Sequence, residues 1–249
     1  MIRCANLSKS FRRSCVLDAI DLDVALGERV ALIGSNGAGK TTLIRCLLGE
    51  YVHEGTVSID GRAPRTDRTA ALAGIGFVPQ LPPPLKMPVG QLIEFSAALS
   101  NADPRQIDAI AGRLGLPVEP IRTRPFNRLS GGMKQKLLIA IALGRNARLL
   151  LMDEPAANLD PAARKIFFDL LAERQHDTTM LISSHRIDEV AALVNRVIET
   201  GHDPRRFVED ATTGGDVKRL MLDHANYYAT TGGHGACRGC GEVTAIRLV

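Results

Sequence analysis

Gly34-Ser35-Asn36-Gly37-Ala38-Gly39-Lys40-Thr41 is the stretch on which the reading of this chain turns. It fits the pattern G-x-x-x-x-G-K-[ST], and its neighbours fit as well: residues 29–33 read as a short apolar strand and residues 40–48 as a helix. Glycines let the backbone wrap a phosphate chain, while free N–H groups and the positive end of the helix hold it. In such a loop Lys40 is expected to reach the β- and γ-phosphates and the Thr41 hydroxyl to ligate Mg²⁺. Ser35, Asn36, Ala38 and Thr42 belong to the same expected cradle.

Working outward, further strands are expected at residues 2–7, 16–24, 56–59 and 75–78. Leu81-Pro82-Pro83-Pro84-Leu85 can be neither helix nor central strand and marks a boundary. Helices follow at 89–99, 104–114 and 131–143, then a strand at 148–152, a helix at 161–174, a strand at 178–183 and a helix at 186–194. Strands alternating with helices imply an α/β fold, with a parallel sheet covered on both faces.

Leu149-Leu150-Leu151-Met152-Asp153-Glu154 reads as a buried strand ending in two carboxylates. Ligands of such sheets sit beyond the carboxyl ends of the strands. Asp153 suits an Mg²⁺ shell, and Glu154 is placed to polarise the water that attacks a γ-phosphate.

Leu129-Ser130-Gly131-Gly132-Met133-Lys134-Gln135 starts a helix: Ser130 can cap it, and two glycines let an anion approach its exposed N–H groups. Lying between the two preceding motifs, it resembles the signature of ABC ATPases. The resemblance covers residues 1–198 and implies an ABC-type phosphate-loop fold. That fold has a mostly parallel core sheet, an antiparallel β subdomain and a helical signature subdomain at about 81–145.

By resemblance, Gln80 is the glutamine that senses Mg²⁺ and couples to a transmembrane partner. Asn158-Leu159-Asp160 speaks across a dimer, His185 contacts the γ-phosphate, and Phe11 stacks on adenine. The resemblance also implies that Ser130, Gly131 and Gly132 of one protomer close over the ATP held by Lys40 of the other. The expected entity is thus an ATP-hydrolysing subunit, in a homodimer or heterodimer, that drives integral membrane permease subunits. A soluble family member serving a cytoplasmic scaffold is the alternative.

Composition excludes other classes. The 249 residues carry a net charge of only +4, with no basic block to suggest a nucleic-acid partner. No apolar run approaches the roughly 20 residues that span a bilayer, and the start lacks a signal peptide's apolar core. The expected location is cytoplasmic, peripheral on the membrane through the permease. Cys4, Cys15 and Cys46 are expected as free, buried thiols.

From about residue 199 the pattern changes. Residues 226–242, containing Cys237 and Cys240, resemble a fragment of 2-oxoacid:ferredoxin oxidoreductases. Two cysteines are too few for a cubane cluster, so residues 199–249 are expected to be an atypical, poorly packed tail lacking the family's next strand.

Overall fold

The computed structural model describes residues 1–200 and the backbone of a further strand, Phe207–Ala211. The oxidoreductase-like stretch, with Cys237 and Cys240, lies outside the described residues.

Two sheets form. In the first, β1 (Ile2–Phe11) sits between β2 (Ser14–Val24) and β4 (Glu54–Ile59), all antiparallel. The second has the order β5-β6-β7-β3-β8-β9, from Ile75–Val78, Leu149–Asp153, Thr179–Ser184, Arg29–Gly34, Arg196–Thr200 and Phe207–Ala211. Its first five strands are parallel and β9 runs antiparallel to β8. β6 and β7 are buried at every residue, which explains why they read as unbroken apolar runs.

Helix α1 (Lys40–Leu47) buries Leu43, Ile44, Cys46 and Leu47 between the two sheets, in one core with Ile2, Leu7 and Leu149. A second core gathers Phe126, Phe167, Ile93 and Leu143 on the other face of the large sheet. It unites α3 (Val89–Ser100), α4 (Pro104–Arg113) and α5 (Gly131–Gly144) with α6 (Pro161–Ala172). Asp103 and Asp160 cap α4 and α6, each followed by proline, so both starts follow from local chemistry. Two turns complete the helices: α2 (Arg68–Leu72), unforeseen in the sequence, and α7 (Ile187–Val190).

Three expectations need correction. The helix at 186–194 shrinks to α7, because Asn195 must pair with both backbone groups of Arg29 to start β8. The strand expected to be missing after Ile198 exists: β8 continues to Thr200, and β9 pairs with it through Thr200–Phe207 and Val197–Ala211. Cys4 and Cys46 are buried, and burial pushes their thiols up to about 12 and about 11, but Cys15 is exposed. Its Sγ donates to the Leu17 carbonyl 3.2 Å away, at the rim of the β1–β2 hairpin.

Candidate active site

Four parallel strands bring their carboxyl ends to one edge. The glycine-rich loop follows β3, Gln80 comes two residues after β5, Asp153 ends β6 with Glu154 next after it, and His185 follows β7. Three glycines of the loop are demanded by geometry, Gly37 among them with φ 87°. Gly39, at the start of α1, has φ 87°, which side chains rarely tolerate. A Cβ on Gly34 would lie 2.1 Å from the Thr200 hydroxyl and 2.3 Å from its carbonyl oxygen, so β3 and β8 approach only because Gly34 has none.

The loop lines an open groove of about 760 Å³, together with Phe11, Val16, Gln80 and Glu154. Asn36 through Thr42 all border it, whereas Gly34 and Ser35 do not. Lys40 is buried, and its Nζ donates to the carbonyls of Gly34 (2.5 Å) and Ser35 (3.0 Å). Burial lowers the pKa of its ammonium, while Glu154 and Asp153 pull it back up.

Glu154 is the hub. Its Oε2 lies 2.7 Å from His185 Nδ1, a contact in which the ring nitrogen donates to a carboxylate. Oε1 is buried without a hydrogen-bond partner, and Lys40 Nζ stands 3.8 Å away. The residue has φ 47°, an uncommon conformation for a side-chain-bearing residue at a site with chemistry to do. That turn is pinned by Ser183, whose carbonyl (3.2 Å) and Oγ (2.9 Å) both accept the Glu154 N–H. The same Oγ donates to Asp153 Oδ1 at 2.7 Å, so one buried hydroxyl fixes both acids. Sequence reading missed Ser183; only its position two before His185 could have pointed to it.

Asp153 is buried behind the groove rather than on its wall. Ser130, Gly131 and Gly132 do not border the groove either. Ser130 caps α5 by accepting the Met133 N–H, and a Cβ on Gly131 would meet nothing within 4 Å. That helix start faces outward. Gln135, fully buried, donates from Nε2 to the Pro155 carbonyl (2.9 Å), tying α5 to the loop after Glu154.

A phosphate loop between a central parallel strand and a helix, beside a strand ending in two acids, defines a nucleotide-binding α/β domain of the phosphate-loop class. The family described as "ABC transporter" matches residues 17–157, and the chain belongs to that family. It is 37% identical over 206 residues to the aliphatic sulfonates import ATP-binding protein SsuB 1 of Xanthomonas axonopodis pv. citri, covering 79% of each chain. It is 34% identical over 215 residues to the ribose import ATP-binding protein RbsA 2 of Burkholderia cenocepacia, over 79% of this chain. It spans 41% of that protein's length and 9% of ATP-binding cassette sub-family A member 7 of Rattus norvegicus. A dimeric ATP-binding cassette solved in a post-hydrolysis state with ADP and Pi shares the fold, with TM-score 0.72 and 23% identity over 80% of this chain and 94% of that one. Among the described residues, no helix is long and apolar enough to cross a membrane.

Proposed function

We propose that two such cassettes pair around two ATP molecules and that their ATP hydrolysis drives an integral membrane permease. The observation that carries this reading is Oε1 of Glu154, which has no hydrogen-bond partner. It is a buried acceptor facing a groove lined by the phosphate loop, and a water there would satisfy it. Glu154 would take a proton from that water as its oxygen bonds the γ-phosphorus and the ADP oxygen leaves, with His185 holding the carboxylate in place. Lys40 and the loop N–H groups would hold the phosphates, and Phe11 with Val16 the base.

Thr41, Gln80 and Asp153 offer only hydroxyl, amide and carboxylate oxygens, a donor set that suits Mg²⁺ rather than a softer metal. The ion would supply charge neutralisation at the β- and γ-phosphates.

The outward-facing start of α5 supports a dimer, because Gly131 there has no neighbour within 4 Å of a Cβ and so no internal role to explain it, whereas at Gly132 a Cβ would crowd the Asn158 carbonyl at 3.3 Å. Leu81, next to Gln80, is 73% exposed, and Phe95 and Leu99 on α3 are 53% and 63% exposed. Such apolar side chains support a docking face for the permease.

Glu154→Gln tests the reading. The amide keeps the shape but cannot act as a base, so the variant should bind ATP and accumulate as an ATP-bound dimer. Wild-type turnover in a steady-state ATPase assay would remove Glu154 from the catalytic role.

A further inference from the structure

Phe11 is 41% exposed at the end of β1, yet two side chains constrain its ring. The Tyr51 ring meets it nearly at right angles, at 83°, with centroids 5.2 Å apart. Lys9 Nζ lies 4.6 Å from the Phe11 centroid and 5.6 Å from that of Tyr51. The ammonium is itself anchored, donating to the Val52 carbonyl at 2.7 Å. Behind Tyr51, the Arg45 guanidinium sits 5.7 Å from the ring centre and 3.6 Å from Glu50. Phe11 borders the groove, and neither Lys9, Tyr51 nor Arg45 does. The ring is therefore gripped from outside, leaving it available to the groove.

An exposed phenylalanine ordinarily samples several rotamers, and a ligand that stacks on it must pay to fix one. An edge-to-face partner and a cation over the ring select the orientation in advance. Tyr51 lies four residues past the end of the phosphate-loop helix, so the same bracket ties the ring's position to the loop that holds the phosphates.

We propose that Tyr51 and Lys9 are positioning residues for nucleotide recognition, holding Phe11 as a preformed stacking platform for the base of ATP. This rests on the reading of Phe11 as the base platform. The experiment measures affinities of the full chain for ATP and for inorganic tripolyphosphate, which lacks a base, alongside steady-state ATPase kinetics.

Tyr51→Ala should weaken ATP binding about three- to tenfold, the worth of one aromatic pair. It should leave tripolyphosphate affinity and kcat unchanged and raise KM. Tyr51→Phe should restore ATP affinity, since the ring and not the hydroxyl is used, and Lys9→Met should move in the direction of Tyr51→Ala. Phe11→Ala should lower ATP affinity towards that of tripolyphosphate. If Phe11→Ala weakens ATP binding and Tyr51→Ala does not, the bracket is refuted while the platform stands. Equal losses for ATP and tripolyphosphate in Tyr51→Ala would mean a distorted phosphate loop and also refute it. If Phe11→Ala leaves ATP affinity unchanged, the platform reading fails and the bracket falls with it.

Discussion

Replacing Ser183 by valine and, separately, by threonine isolates one hydroxyl from its shape. The side chain is fully buried at the end of β7, where Oγ donates to Asp153 Oδ1 at 2.7 Å and accepts the Glu154 N–H at 2.9 Å. Both replacements add the same methyl group, so the packing strain largely cancels in the comparison. The Glu154 N–H keeps the Ser183 carbonyl at 3.2 Å in either variant, and the loss therefore falls on Asp153. A hydrogen bond to a charged group contributes about 1.5–3 kcal/mol. The valine variant should then be about 2 kcal/mol less stable than the threonine one, or about 4–8 °C lower in melting midpoint for a chain of this size. Activity should fall further. If Asp153 and the turn at Glu154 drift by about 1 Å, turnover drops on the order of 100-fold. Calorimetry and ATPase rates at saturating ATP read the two effects. Equal midpoints and equal kcat in the two variants would refute the claim that this hydroxyl fixes both acids.

Lys40→Ala removes the buried ammonium beside the loop carbonyls and should weaken ATP binding on the order of 100-fold; unchanged affinity in a titration would sink the phosphate-loop assignment. Ser130→Arg should leave ATP binding to the separate chain nearly intact and stop turnover, because a bulky side chain at the start of α5 blocks a partner's γ-phosphate; wild-type hydrolysis would contradict the two-half-site arrangement. A chain ending at residue 211 should retain ATP hydrolysis, since every site residue and all of β9 precede that point. One ending at 198 should lose it along with folded stability in a urea titration, and equal behaviour of the two truncations would refute the role assigned to β8 and β9.

Much of this was legible in the sequence because local chemistry and global fold agree. Gly39 with Lys40, Asp103 with Pro104 and Asp160 with Pro161 each announce a helix start, and the apolar run ending in Asp153 announces a buried strand. What stayed hidden depends on contacts between distant segments. Ser183 sits in an apolar strand where a serine suggests nothing until Asp153 is alongside in the next strand, thirty positions earlier in the chain. The end of β1 was hidden for another reason. Ser8 to Phe11 lacks clean alternation, because the pairing with β2 slips between Leu7 and Lys9 and again between Lys9 and Ser10.

The glycine that opens the phosphate loop answers two demands at once, and only one was visible in the motif. The sequence pattern asks for Gly34 because a phosphate cradle needs backbone freedom. The sheet asks for it because Thr200 presses against its Cα, with the Thr200 hydroxyl donating to the Ile33 carbonyl at 3.1 Å. The Gly34 carbonyl in turn accepts from Lys40. Thr200 is thus one residue removed from the lysine of the loop, and the strand that carries it is paired on its far side by β9. Thr200 lies beyond every motif read in the sequence, yet it buttresses the loop from below. A segment can lack every recognisable signature and still be needed, because what it supplies is a surface at the right distance, and distance leaves no pattern in sequence.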